Sequence, residues 1–132
     1  MRKRFSNSYP MVVQWGDMDA FGHVNNVSYI KYFESARADY FTEFQIWKPG
    51  EKLKEGPVLI RVEMNYRKQV HYPNTLQVTV GLESIARKGF DIGCSIWMGD
   101  EMVADGMAKV LWFHFDWQKV VPIPEHLKNL IH

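Results

Sequence analysis

Two carboxylates, a histidine and two asparagines crowd one short segment near the N-terminus of the 132-residue chain. They are Asp17, Asp19, His23, Asn25 and Asn26, and an apolar run typical of a helix follows them. Free amides at a helix N-terminus carry about half a positive charge, so they favour a nearby carboxylate or a developing oxyanion. A carboxylate and an oxyanion site in one loop would support acyl transfer or hydrolysis. The alternative is that both aspartates are turn and capping residues and that the histidine only orients its loop.

The residues after this loop predict one long helix over about residues 25–47. Either of the two asparagines suits the N-cap position, and the helix should stop by Pro49-Gly50. On a helical wheel the apolar residues cover most of the circumference, which predicts a helix that is largely enclosed. Glu34 and Arg37 fall inside the apolar stripe. Their spacing of three residues predicts a buried structural ion pair between them.

One short strand is expected before the helix, and a two-residue hydrophobic period after it predicts four more strands. The expected spans are residues 9–15, 58–70, 76–82, 90–98 and 102–115. Turn signals separate the last four strands, and short turns predict that consecutive strands are antiparallel neighbours. A short amphipathic helix is expected after Pro122 and Pro124. The simplest way to bury both the sheet face and the helix is to wrap the sheet around the helix, which is an α+β arrangement.

Composition limits the classes of function. Sixteen Lys and Arg against fifteen Asp and Glu give a net charge of +1, which removes the bulk electrostatic case for a nucleic-acid or anionic-membrane partner. We expect no targeting segment and no transmembrane helix. The single cysteine, Cys94, leaves no internal disulfide and no cysteine-based zinc site, and its position on an apolar strand face predicts a buried, inert thiol. These features suit a cytoplasmic protein.

The aspartate-rich loop and the helix start also carry a family resemblance. Residues 17–29, DMDAFGHVNNVSY, and residues 32–37, YFESAR, resemble the signature of the hotdog-fold acyl-CoA thioesterases, in the branch of 4-hydroxybenzoyl-CoA thioesterase. The resemblance extends over essentially the whole chain, because the element order also matches. It implies a single hotdog domain over residues 1–132, in which one long helix is wrapped by a five-stranded antiparallel sheet.

The resemblance also implies roles for individual residues. Asp19 matches the catalytic carboxylate, which either attacks the thioester or activates a water. The backbone amide of Asn26 matches the oxyanion donor, and Gly22 lets the backbone approach the thioester closely. His23 matches a catalytic histidine of plant acyl carrier protein thioesterases. Those enzymes have an asparagine where this chain has Phe21, so either a catalytic or a loop-orienting role stays open for His23.

Coenzyme A requires cations for its phosphates. Arg87 and Lys88 lie in a predicted turn that corresponds to a basic, coenzyme A-binding turn in the family, and Arg67 is a further candidate. For each of them the alternative is an ordinary solvated charge. We expect no metal and no cofactor, since coenzyme A is part of the substrate.

The favoured function is therefore a cytoplasmic acyl-CoA thioesterase that acts as a homodimer, since exposed sheet edges favour pairing with a second copy. A tetramer of two dimers stays open. The alternatives are an acyl carrier protein thioesterase and a non-catalytic dimer that binds acyl thioesters. The sequence leaves the acyl group open.

Overall fold

One long helix and six strands form the framework of the chain in a computed structural model that describes residues 1–47 and 53–130. The elements are β1 (Asn7–Val12), α1 (Asn26–Glu43), β2 (Glu55–Tyr66), β3 (Thr75–Ile85), β4 (Gly89–Met98), β5 (Glu101–His114) and β6 (Lys119–Val120). Short 3₁₀ helices span Trp15–Asp17 and Glu125–Asn129. The α+β class and the order of strand, long helix and strands are confirmed; β6, only two residues long, is an addition to the five predicted strands.

Helix α1 begins and ends at identifiable caps. Asn25 is the N-cap, and its Oδ1 accepts the amide of Val27 at 2.9 Å. Asn25 is one of the two asparagines predicted for this position. The C-terminus is a Schellman motif, in which Gln45 adopts a φ of 55° and the amide of Ile46 donates to the carbonyl of Phe41 at 2.8 Å. The helix is therefore shorter than the predicted residues 25–47. The prediction extended too far because it relied on the stop signal at Pro49-Gly50, whereas the chain already turns at Gln45. The predicted stop at residues 49–50 lies outside the described residues.

The prediction that all consecutive strands are neighbours is wrong for β2 and β3. The sheet order is β1-β3-β4-β5-β2, with β6 beside β5, and the pairs are antiparallel. Strand β2 pairs with β5 at the opposite edge from β1. The connection 67–74 therefore crosses about three strand spacings, or roughly 14 Å, which its length allows. The turn signal at residues 72–74 reverses the chain locally, but it does not choose the pairing partner.

The core lies between α1 and one face of the sheet. Phe33 and Ala36 of α1 are fully buried, as are Ile92 and Ile96 of β4. Burying a side chain such as Phe33 contributes about 1.5–3 kcal/mol. Cys94 belongs to the same face, and burial raises the pKa of its thiol to about 12, so the predicted buried thiol is confirmed.

The predicted buried ion pair on α1 is wrong. Glu34 is exposed, and within the described ranges no Glu34 oxygen comes within ion-pair distance of Arg37. The Arg37 guanidinium instead lies 5.2 Å from the centroid of the Phe33 ring. Burial lowers the pKa of Arg37, and the more distant charge of Glu34 offsets part of that effect. The face of the Phe33 ring attracts the guanidinium, and the aliphatic part of the Arg37 side chain suits an apolar surface. Arg37 can therefore occupy the apolar stripe without a direct ion pair.

The N-terminal residues cover the other face of the sheet. The buried Asp105 carboxylate accepts the backbone amide of Arg2 at 2.7 Å and the Nε of Arg67 at 2.8 Å. Arg2 also binds Glu83 through its Nε at 2.8 Å. Burial by itself would raise the pKa of Asp105, but the hydrogen bonds and the two guanidinium charges outweigh burial and hold this pKa below 3.8. The network thus ties β5, the residue after β2 and the N-terminus together.

We expect Asp105→Asn to lower the free energy of unfolding at pH 7 by about 1–3 kcal/mol, because Arg67 and Arg2 lose an ionised acceptor. Because the folded pKa is depressed, this stabilisation is present above about pH 4 and is lost as the pH falls through the folded pKa. Chemical denaturation at pH 7 and pH 3 measures the effect. The gap between the variant and the wild type should narrow at pH 3, and an equal gap at both pH values would contradict the interpretation.

The control is Asp91→Asn, which removes a carboxylate from a more exposed ion pair with Lys109, 3.4 Å apart. Pairs of this kind contribute about 0–1 kcal/mol, so the control should change stability little at either pH.

Candidate active site

The loop between β1 and α1 folds back on itself around Asp19. Asp19 Oδ1 accepts the amides of Phe21 at 2.9 Å and of His23 at 3.1 Å, and the Asp19 amide donates to the carbonyl of His23 at 2.8 Å. The other oxygen, Oδ2, makes no hydrogen bond to any described residue. Backbone amides therefore fix one carboxylate oxygen, while the other has no described hydrogen-bond partner and is available to a substrate or a water.

Gly22 closes this turn. Its φ is 80°, a left-handed conformation that residues other than glycine rarely adopt, and its amide lies 3.3 Å from the Asp19 carbonyl. A Cβ at this position would meet no atom within 4 Å. The chain itself therefore requires glycine here for its backbone angle. The predicted close approach of a thioester to Gly22 stays a prediction.

Asp17 anchors the loop to the helix. Its Oδ2 accepts the hydroxyl of Tyr32 at 2.7 Å and the amide of Gln14 at 2.8 Å, and its carbonyl accepts the amide of Asn25 at 2.8 Å. Burial, and then the hydrogen bond to Asp17, raise the pKa of Tyr32 above its ordinary value. The turn and capping role that was an alternative for both aspartates thus describes Asp17.

The first turn of α1 offers a free amide at Asn26. Asn26 is the first helical residue, and the side chain of Asn25 is already used by the amide of Val27. In the described part of the chain, the Asn26 amide donates to no acceptor. An unsatisfied amide at a helix N-terminus is a suitable donor to an oxyanion.

Asp19 and Asn26 line one cavity of about 270 Å³. The complete lining is Asp19, His23, Val24, Asn26, Tyr29, Tyr66, Arg67, Lys68 and Gln69. The fold therefore brings together four residues that the sequence predicted for the site, from the loop, the helix and the end of β2. Tyr66, whose hydroxyl donates to the Asn26 carbonyl at 3.1 Å, was not predicted, because its strand position indicated only a core residue.

The three predicted basic residues lie in different surroundings. Arg87 and Lys88 are exposed in the β3–β4 turn, and Lys88 lines a separate cavity of about 250 Å³ rather than that of Asp19. Arg67 lines the Asp19 cavity, but its Nε binds Asp105. Within one chain, no described contact joins the basic turn to Asp19. Their predicted contacts with coenzyme A stay predictions.

His71 is a neighbour of the loop that the sequence analysis missed. Its Nδ1 lies 3.0 Å from the carbonyl oxygen of Gly22, and its ring centroid lies 5.1 Å from that of His23. The amide of Val24 donates to the carbonyl of Val70 at 2.8 Å, which holds the connection 67–74 against the loop. No local pattern could signal this contact, because it depends on the path of that connection.

Comparison with known proteins agrees with this geometry. The model of the Thioesterase-like superfamily matches residues 13–131, so the chain belongs to that superfamily. A protein of Aquifex aeolicus named "Putative esterase" is 26% identical over 126 residues, which cover 93% of this chain and 95% of that protein. The expectation of a hotdog thioesterase is thereby confirmed at the level of the family.

Solved structures share the fold. The PA2801 protein of Pseudomonas aeruginosa superposes with a TM-score of 0.85 at 27% identity, covering 92% of this chain and 95% of that one. The DHNA-CoA thioesterase of Staphylococcus aureus gives a TM-score of 0.80 at 20% identity, covering 88% and 79% of the two chains, and its likeness concerns the fold alone. In the described residues, no helix combines the length and the apolar character needed to cross a membrane.

Proposed function

We propose that this protein is an acyl-CoA thioesterase that releases a carboxylic acid and free coenzyme A. One observation carries the proposal: Asp19, which has one fixed and one free carboxylate oxygen, lines the same cavity as Asn26, whose helix N-terminal amide donates to no described acceptor. Membership of the thioesterase-like superfamily supports the reaction class. A coenzyme A thioester is the substrate that the sequence resemblance implies, and a protein of the same fold is named a DHNA-CoA thioesterase.

The proposed chemistry uses the two ends of this arrangement. The thioester carbonyl oxygen would accept the Asn26 amide, which stabilises the negative charge that develops on that oxygen. The free Oδ2 of Asp19 would either attack the carbonyl carbon or take a proton from an attacking water. The carbon–sulfur bond then breaks, and the thiolate leaves without a strong acid, because thiols are far more acidic than alcohols. In the first route water hydrolyses the acyl-aspartyl anhydride; in the second the acid forms directly.

His23 has a defined backbone role and an unassigned side chain. Its amide is one of the two donors to Asp19 Oδ1, and the residue lines the cavity. The backbone of His23 therefore helps to orient the Asp19 carboxylate, and a catalytic or loop-orienting role of its ring stays a prediction. We keep His23 in the proposed site on this basis.

We also propose that the protein forms a homodimer through the β2 edge of the sheet. The other edge, β1, contains Pro10, which lacks the amide that a neighbouring strand requires. Strand β2 is 12 residues long, pairs only with β5 among the described strands, and exposes Leu59 and Ile60.

Because Tyr66 at the end of β2 lines the Asp19 cavity, a second copy on this edge would border the site. Arg67 and Lys68 bring cations to the cavity from the same chain, and the basic turn of the second copy, Arg87 and Lys88, is a further candidate for phosphate contacts. A cytoplasmic location and a tetramer of two dimers stay predictions.

We expect Asp19→Asn to lower kcat/KM by about 10²–10⁴-fold, because the variant loses the nucleophile or base while keeping its size. The assay measures thiol release from short-chain, long-chain and aromatic acyl-CoA esters. The control is Asp39→Asn, on the exposed face of α1, which should behave as the wild type.

Wild-type inactivity on every acyl-CoA ester would reject the coenzyme A proposal. The same panel therefore includes acyl carrier protein thioesters, and turnover of these alone would favour the carrier-protein alternative. Equal turnover by wild type and Asp19→Asn would remove Asp19 from the chemistry.

We expect Ile60→Lys to convert the dimer into a monomer, since a charge on the β2 edge opposes edge pairing. Light scattering coupled to size exclusion measures the mass. The control is Val12→Lys, which places the same charge at an exposed position on the β1 edge and should leave the mass of two chains unchanged. A monomeric wild type, or a dimer that only the control disrupts, would contradict the proposed interface.

The double substitution Arg87→Ala and Lys88→Ala should raise KM for acyl-CoA by about tenfold, because two charged contacts with phosphate are lost. KM for an acyl-pantetheine ester, which lacks the nucleotide, should not change. Lys128→Ala, which removes an exposed cation paired with Glu125, is the control. A similar change in KM for both esters would remove the basic turn from coenzyme A binding.

A further inference from the structure

We propose that His71 is a positioning residue that holds the Asp19 carboxylate in place by fixing the peptide group between Gly22 and His23. The inference rests on the proposed function, since it concerns the same carboxylate. It goes beyond that function in assigning a task to a side chain that the loop motif does not contain.

The direction of the hydrogen bond defines the state of the His71 ring. Nδ1 lies 3.0 Å from the Gly22 carbonyl oxygen, and a carbonyl oxygen can only accept. Nδ1 therefore carries the proton, and in the neutral ring Nε2 is left as an acceptor. The tautomer of His71 is thus set by its contact with the loop.

One peptide group, that between Gly22 and His23, contains both the carbonyl that binds His71 and an amide that donates to Asp19. The Gly22 carbonyl binds His71, while the amide of the following residue, His23, donates to Asp19 Oδ1 at 3.1 Å. A trans peptide is planar, and its carbonyl and its N–H point in opposite directions. Fixing the carbonyl from one side therefore aims the N–H at the carboxylate on the other side. Hydrogen bonds linked in this way also polarise one another.

The peptide group between Gly22 and His23 requires such support because glycine has the widest range of backbone angles of any residue. Gly22 sits at a φ of 80°, and glycine exchanges readily between positive and negative φ. Rotation of this peptide would remove one of the two amides that hold Oδ1. The carboxylate would then sample other orientations, and its free oxygen would be aimed less well at the thioester carbon.

His71 is itself held on a rigid base. Val70, the preceding residue, is fully buried, and its carbonyl accepts the amide of Val24 at 2.8 Å. The segment 70–71 therefore binds the loop on both sides of His23. The His71 and His23 rings meet at a centroid distance of 5.1 Å and an interplanar angle of 63°, an edge-to-face contact that adds to the same clamp.

The test compares two substitutions of His71. In His71→Asn the side-chain amide nitrogen is as many bonds from Cα as Nδ1, so the donor is kept, whereas His71→Leu removes it. We expect kcat to fall by about tenfold in the Leu variant, with KM for acyl-CoA changed less than about twofold, and the Asn variant to retain most of the activity. The control is His126→Leu, since His126 also contacts a backbone carbonyl, that of Gln45 at 3.3 Å, away from the Asp19 loop.

A second measurement does not depend on turnover. Amide hydrogen exchange at His23, measured by nuclear magnetic resonance, should accelerate by about tenfold in His71→Leu and recover in His71→Asn. Wild-type inactivity on acyl thioesters would reject the proposed function and leave this exchange experiment to decide the role of His71. Unchanged His23 exchange in the Leu variant would overturn the inference. A loss of thermal stability with kcat and exchange both unchanged would also overturn it, since that outcome describes a purely structural residue.

Discussion

The hydrogen bonds from two backbone amides to Asp19 Oδ1 are the interaction on which the site depends. They convert a flexible side chain into one with a fixed oxygen and a free oxygen, without using any other side chain as a direct partner. Such preorganisation matters because a carboxylate that is already oriented spends no free energy on reorganisation during the reaction. The rest of the molecule has to hold residues 21–23 of one loop in place, with Gly22 at a positive φ that glycine adopts most easily.

Three parts of the fold hold this loop from different sides. Tyr32 of α1 binds Asp17 and so ties the start of the loop to the core-facing side of the helix. The segment 70–71 binds Gly22 and Val24 at the end of the loop. The N-cap of α1 then leaves the Asn26 amide without a described acceptor, in a residue that lines the same cavity as Asp19. The crossing connection between β2 and β3 explains why this works, because it carries residues 70–71 past the helix N-terminus on the way between opposite sheet edges.

Local patterns in the sequence predicted the parts of this arrangement that are local. Asn25 as a cap, the alternating strands and the run from Asp17 to Asn26 follow from adjacent residues, and Asp19, His23 and Asn26 do share a cavity. Three other features depend on residues far apart in the chain, so no period or motif could reveal them. They are the pairing of β2 with β5, the contact of His71 with Gly22 and the hydrogen bond from Arg67 to Asp105. The end of α1 was missed for another reason: the prediction relied on the stop signal at Pro49-Gly50, although Gln45, which is not a glycine, has already turned the chain.

The central claim is that a thioester carbonyl sits between the Asn26 amide and the Asp19 carboxylate, and a crystal structure with a bound ketone analogue tests it most directly. In this analogue a methylene group replaces the thioester sulfur of an acyl-CoA, so it binds without being cleaved. We predict a carbonyl oxygen about 2.7–3.1 Å from the Asn26 nitrogen. The carbonyl carbon should lie about 3–3.5 Å from Asp19 Oδ2 or from a water bound to it. A fully occupied analogue whose carbonyl lies away from Asn26, with Asp19 Oδ2 turned to bulk solvent, would contradict the claim.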